Sequence, residues 1–223
     1  GKEGAPVSFE YSGKISLYTV PKTIDVLDTN QFMSSIRERY PDQIGLAGYT
    51  VNGEQRYTST DWQDEIYENA FGMDHFFSAS GAVNGNGILN SMPYRASVGY
   101  SDQDGILKTD NLQRTTLAAN INPSMFDDHL KVNLNAKYMM VENTFANRGA
   151  IGAALQYDPT KPVYGEDAVF QKEYGGYYAW LQPNGDPVEQ GSANPVALID
   201  QREDKSDVNR FIGIFGHLVC RLL

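Results

Sequence analysis

Hydrophobic and polar residues alternate with a period of two in several separate runs. In the first, Val7, Phe9, Tyr11, Ile15 and Leu17 share one face, while Ser8, Glu10, Ser12, Lys14 and Ser16 share the other. A second run, near 75–84, sets Phe77, Ala79 and Val83 against Ser78 and Ser80. A third, near 94–101, sets Tyr94, Ala96, Val98 and Tyr100 against Arg95, Ser97 and Gly99. A fourth, near 114–122, aligns Leu117, Ala119 and Ile121. The fifth, near 130–141, is the cleanest. Leu130, Val132, Leu134, Ala136, Tyr138 and Met140 oppose Lys131, Asn133, Asn135 and Lys137. A sixth strand is expected near 209–219. A helix would wrap both sets around its axis, so these segments read as strands.

The expected fold is therefore all-β: an antiparallel up-and-down meander of about six strands. Alternation alone fits a transmembrane barrel wall and a soluble sandwich alike, because either can leave one sheet face wet. The connections separate the two. PSMFDD and NGNGILNSMP are short and rich in turn formers, whereas residues 19–72 and 142–208 form long loops. Short turns at one end and long loops at the other are the rhythm of an outer-membrane barrel. Two short helices are expected in the first loop. One starts near Thr29 with Phe32, Ile36 and Tyr40. The other starts at Thr60, with Trp62, Ile66 and Ala70 four residues apart and a Thr60–Gln63 capping box.

Composition narrows function more than fold. The net charge of -10 argues against a nucleic-acid partner. The single cysteine, Cys220, allows no internal disulfide, and His75, His129 and His217 stand far apart. The start, Gly1 followed by Lys-Glu-Gly, reads as a cut N-terminus.

The candidate chemistry is sparse. Asp61, Asp64 and Glu65 in DWQDE are the residue type a glycosidase needs, but no partner carboxylate is fixed by spacing, so a solvated helix face is the plainer reading. Asp102, Asp104 and Asp110 lack the spacing of a calcium loop. No catalytic residue, metal or cofactor is expected, and the chain is not expected to be an enzyme. The better candidates are loop aromatics. Tyr174, Tyr177, Tyr178 and Trp180 crowd around Gly175 and Gly176, placed either to stack on a ligand or to pack the loop on itself. Trp62 reads as a packing residue, and Tyr94, Tyr100 and Tyr138 as an interfacial girdle.

Four blocks carry a resemblance to a known family. They are STDWQDEIYENAFGMDHFFSASG (59–81), MPYRASVGYSDQDGILKTDNLQRTTLAANINPSMFDDHLKVNLNAK (92–137), GAIGAALQYDPTKPVY (149–164) and NPVALIDQREDKSDVNRFIG (194–213). In this order they resemble the SusC/RagA family of TonB-linked outer-membrane transporters. The resemblance implies that residues 1–223 are a partial TonB-dependent receptor β-barrel in the outer membrane of a Gram-negative, Bacteroidetes-like cell. GKEGAPVSFEYSGK would follow the last plug strand, and the plug itself would have no counterpart here. The implied partners are a SusD-like surface lipoprotein, the TonB system acting through the plug, outer-membrane lipid, and an oligosaccharide or peptide solute. The tail IFGHLVCRLL departs from the family's alternation and reads as a truncated or frame-shifted end.

Overall fold

A computed structural model describes residues 6–85, 87–182, 186, 188 and 192–216. In chain order the elements are β1 (Ser8–Tyr18), α1 (Thr29–Arg39), a 3-10 turn (Pro41–Leu46), β2 (Tyr49–Val51), β3 (Glu54–Arg56) and α2 (Trp62–Ile66). There follow β4 (Ala70–Asn84), β5 (Leu89–Asp104), β6 (Asn111–Ile121), β7 (Ser124–Met125), β8 (Leu130–Lys131) and β9 (Asn133–Thr144). The last are α3 (Gly149–Gln156), α4 (Ala168–Glu173), α5 (Pro195–Asp200) and β10 (Lys205–Gly216).

The main sheet runs β1-β4-β5-β6-β9-β10, every pair antiparallel, which is the expected meander with short helices in its long loops. The sheet is open, and β1 and β10 are its edges. Small β7 and β8 pair beside one short-turn end, and β2 and β3 form a separate hairpin. Strands extend past the alternating cores. Backbone pairing continues through Leu89–Met92 and Ala70–Asp74, where polarity no longer alternates cleanly. Of the expected last strand, residues 217–219 lie outside the described residues, as do His217, Cys220 and the rest of the tail.

Register converts the alternation into two continuous faces. Tyr11, Phe77, Val98, Leu117, Tyr138 and Phe211 form one cross-strand row. The next rows are Phe9, Ala79, Ala96, Ala119, Ala136 and Gly213, and then Gly81, Tyr94, Ile121, Leu134 and Phe215. The opposite face carries Glu10, Ser78, Ser97, Ala118 and Lys137 in one row and Lys14, Asp74, Ser101 and Arg114 in another. Phe76 and Met139 interrupt it, and it turns apolar toward β10, at Val141, Val208, Ile212 and Ile214. Glycines on the apolar face sit under rings. A Cβ on Gly81 would lie 2.9 Å from the Tyr94 hydroxyl, and one on Gly13 would lie 2.8 Å from the Tyr11 hydroxyl. An aromatic ring laid over a glycine covers its bare backbone and helps pin register.

The buried core is not in the sheet. Trp62, Ile66, Leu107, Ala146, Ala150, Ala154, Tyr157, Val196 and Ile199 cluster where three connections meet at one end. These are residues 19–69, 105–110 and 145–204.

The first-loop helices differ in part from expectation. α1 begins at Thr29, capped by Asp28, which accepts from the Gln31 amide at 2.8 Å while its own amide donates to the Gln31 side chain at 3.1 Å. The second helix is a single turn. Its cap is Asp61, which accepts from the amides of Gln63 and Asp64, so the Thr60–Gln63 capping box does not form. Thr60 instead donates to the Lys161 carbonyl at 2.7 Å. Ala70 is the first residue of β4, because Tyr67 and Glu68 leave the helix to pair with Leu107 and Ile106.

Candidate functional site

Two features can carry function: the loop module and the two faces of the wall. The module is held by one short segment, Asp158–Lys161. The Asp158 carbonyl accepts from the Trp62 indole N–H at 3.0 Å. The Pro159 and Thr160 carbonyls accept from the amides of Thr60 and Thr58. The Thr160 hydroxyl accepts from the Gly48 amide at 2.6 Å and donates to the Asp158 carboxylate at 2.6 Å. Lys161 closes the arrangement. Its side chain is 4% exposed, its ammonium donates to the carbonyls of Leu46, at 2.7 Å, and Gly48, and the Asp158 carboxylate lies 3.8 Å away. Burial pulls its pKa down to about 8, against the opposing pull of Asp158. A charge this deep persists only where hydrogen bonds and a counter-charge replace water.

The aromatic stretch stands against this node. Gly175 and Gly176 turn the chain through positive φ (63° and 91°), where a side chain would be strained. Tyr174 packs on Phe170, and Tyr178 packs on Phe170 and Tyr49, with centroids 5.1 and 6.2 Å away. Tyr177 donates to Asp200 at 2.7 Å. Trp180 is the most open of the four, with the Lys161 ammonium 5.1 Å from its ring centroid. A cavity of about 370 Å³ lies among them, lined also by Tyr157, Asn194 and Leu198. Burial pushes the Tyr178 hydroxyl up to about 12, with Asp158 adding to the effect, and burial holds Tyr157 well above the usual phenol range. The structure thus brings Tyr174, Tyr177, Tyr178 and Trp180 together. The three tyrosines are committed to packing and hydrogen bonding, and the Trp180 ring offers the open face. Lys161, Tyr157 and Tyr164 belong to the same neighbourhood but were not singled out in the sequence. YDPTKPVY reads as an ordinary polar turn, and nothing local marks its lysine as buried.

Asp61, Trp62, Asp102 and Asp104 have structural roles. Asp61 is a helix cap, and Trp62 is buried, 3.0 Å from the carbonyl it serves. Asp102 accepts from Tyr100 and Asn111, and Asp104 from Asn111. Among the described residues no group of three or more His, Cys, Asp or Glu is placed to hold a metal.

The apolar face of the wall is bare. Ile15, Phe211 and Phe215 are 79%, 69% and 74% exposed, and among the described residues no second sheet packs on them. Its upper border, on the loop side, steps down across the sheet. It stands at Leu17 on β1 and Phe71 on β4, which are register partners, then falls to Tyr100 on β5 and Leu117 on β6. On β10 it ends at Phe211, in the same row as Leu117 of β6 and Tyr11 of β1, so the border drops six residues between β4 and β6 and is level from there to β10. Beyond it stand Asp102, Gln113, Glu142 and Asp207 in one row. Tyr100 and Tyr138 lie at the border, their hydroxyls donating to Asp102 and Asn209 at 3.0 Å.

No protein-family model matches the chain. It is similar to the TonB-dependent receptor SusC of Bacteroides thetaiotaomicron, with 36% identity over 96% of the chain and 21% of that protein. It is also similar to two TonB-dependent receptors of Formosa agariphila. One shows 27% identity over 91% of the chain, and the other 25% over 74%. The chain spans 15–21% of the length of these relatives.

Proposed function

The chain belongs to the SusC family of TonB-dependent outer-membrane receptors, and on that premise we propose that it forms part of the barrel wall and extracellular face of a nutrient importer. The observation that carries the reading is the bare apolar band on one face of the sheet, bordered on the loop side by a polar row. Its exposed rings need lipid to cover them. The opposite face, with Ser, Asn, Lys and Arg in rows, then lines the lumen. The loop module lies on the cell surface, since long loops are extracellular in such barrels. Transport in this reading involves no covalent chemistry: solute passes through a lumen that plug movement opens, driven through the TonB system.

The finer reading is that the solute is an oligosaccharide or peptide and that a SusD-like lipoprotein caps the loops. The open Trp180 ring beside Tyr174, Tyr177 and Tyr178 supports it, since exposed rings stack on sugars and anchor partner proteins. A soluble carbohydrate-binding sandwich is disfavoured by the bare apolar face.

The test uses the full-length receptor, tagged in its source organism. It should fractionate with the outer membrane, be cut by external protease within residues 19–69 or 145–204, and co-purify a SusD-like lipoprotein. Uptake of a labelled oligosaccharide or peptide should require TonB. A receptor found in the soluble fraction sinks the wall reading. Correct localisation with no co-purified lipoprotein sinks only the partner.

A further inference from the structure

The wall's polar face carries a groove of about 470 Å³ whose chemistry fits an anion. Lys14, Arg114 and Lys137 line it against one carboxylate, Asp74, although the chain as a whole carries a net charge of -10. Asp74 is the register partner of Lys14. Among the described residues Arg114 and Lys137 have no acidic partner, in contrast to Arg95, which is paired with Glu10 at 3.1 Å. A second observation points the same way. Ser101 lies in the same row as Arg114 and also lines the groove. It is 4% exposed, and its hydroxyl has no hydrogen-bond partner. A buried hydroxyl left without a partner is costly and calls for an explanation, of which an unbound ligand is one.

We propose that this groove is a subsite for an oxyanion borne by the transported solute, a carboxylate or a sulfate ester on an oligomer. The Arg114 guanidinium suits two oxygens at once, the Ser101 hydroxyl on the neighbouring strand donates to the same group, and Lys137, four residues along β9 from Arg114's partner Val141, adds positive charge further along the groove. Charged side chains on a lumen wall select solutes in this way. The proposal rests on the reading that the polar face lines the lumen, and it adds to that reading the charge of the solute.

The test titrates the full-length receptor in detergent with three probes of matched length: oligogalacturonate, sulfated dextran and neutral dextran. At least one anionic probe should bind tenfold or more tightly than the neutral one, and the advantage should shrink as salt is raised. The carboxylate and sulfate arms identify which oxyanion is taken. Arg114→Gln combined with Lys137→Gln should bring the ratio to within about twofold of unity, and Arg114→Lys should retain part of it. The ratio in the unaltered receptor needs no variant, so a folding defect in the double variant leaves the test standing. Equal binding of anionic and neutral probes overturns the proposal, as does failure of both anionic probes to bind or an unchanged ratio in a folded double variant. A receptor that sits correctly in the outer membrane yet shows no preference for anions defeats this proposal alone. A receptor absent from that membrane defeats the wall reading beneath it.

Discussion

Lys161→Met isolates what the buried ammonium does for the loop module. Methionine keeps the length and most of the volume but removes the charge and its donors. Two opposing effects set the size of the change. Breaking a buried, hydrogen-bonded ion pair by deleting one partner typically costs about 3–5 kcal/mol. Here the charge leaves the carbonyls of Leu46 and Gly48 without their donor and Asp158 without its counter-charge. Against this, a pKa lowered from 10.5 to about 8 means that holding the charge in place costs roughly 3 kcal/mol relative to water, a cost methionine avoids. Asp158 also keeps the amide and hydroxyl of Thr160, at 2.7 and 2.6 Å. The net loss is therefore about 0–2 kcal/mol, centred near 1 kcal/mol or roughly fivefold in a local opening equilibrium.

The assay is amide hydrogen exchange on the full-length receptor. The reporters are Gly48, Thr58, Thr60 and Lys161, whose amides all bond within or onto the 158–161 segment. They should exchange faster in the variant while β5 and β6 do not. The pH dependence gives a second readout. The folded pKa of Lys161 lies below its unfolded value, so between about 8 and 10.5 the unfolded segment holds more protons and the module gains stability as pH rises. Tyr178 runs the other way. Its folded pKa of about 12 exceeds the free value of 10.0, so its contribution is complete below 10 and is lost as pH climbs through 12. Intrinsically corrected protection should rise from pH 8 toward 10 and then fall. In Lys161→Met the rise should vanish and the fall remain. Unchanged exchange at the four amides, or equal acceleration in β5 and β6, would refute the assignment of Lys161 as the local keystone.

Three further outcomes follow from the same geometry. Phe77→Arg places a cation inside the apolar band and should destabilise the receptor in bilayers by about 2–4 kcal/mol, whereas Ser97→Arg on the polar face should be tolerated; urea unfolding in liposomes would show equal effects if the faces were misassigned. Gly81→Val drives a branched side chain against Tyr94 and the backbone of Val7, 3.3 Å from the added Cβ, and should lower the yield of heat-modifiable barrel on gels, while Gly53, with nothing near its Cβ position, can be replaced with a smaller loss set by its positive φ alone. Trp180→Ala should weaken binding of an oligosaccharide taken up by the receptor by about fivefold, with protection at Thr60 changed less than threefold, since ring stacking is worth about 1 kcal/mol and the ring is partly open; calorimetry showing full affinity would return this aromatic to packing.

The wall was legible in the sequence because a barrel strand needs only one bit per residue, inward or outward. Leu134, Ala136, Tyr138 and Met140 against Asn135 and Lys137 supply it without reference to any other segment. The stepped border was not legible, because it exists only once Leu17, Tyr100 and Phe211 are compared across strands through their register. The loops were harder for a different reason. Their order comes from partners about a hundred residues away, such as Thr60 with Lys161 and Gly48 with Thr160. Local rules therefore misassign Thr60 as a cap when its hydroxyl is used across the module and Asp61 takes the helix end. They also extend a helix to Ala70 on spacing alone, although the backbone at Tyr67 and Glu68 is already claimed by the 105–110 connection. Lys161 shows the limit most sharply. A lysine between two prolines and an aspartate has every local mark of a solvated turn, and only the carbonyls of Leu46 and Gly48, supplied by a different loop, make it a buried one. A wall whose faces are set by solvent can be read strand by strand, while a surface module whose centre is a long-range polar node cannot.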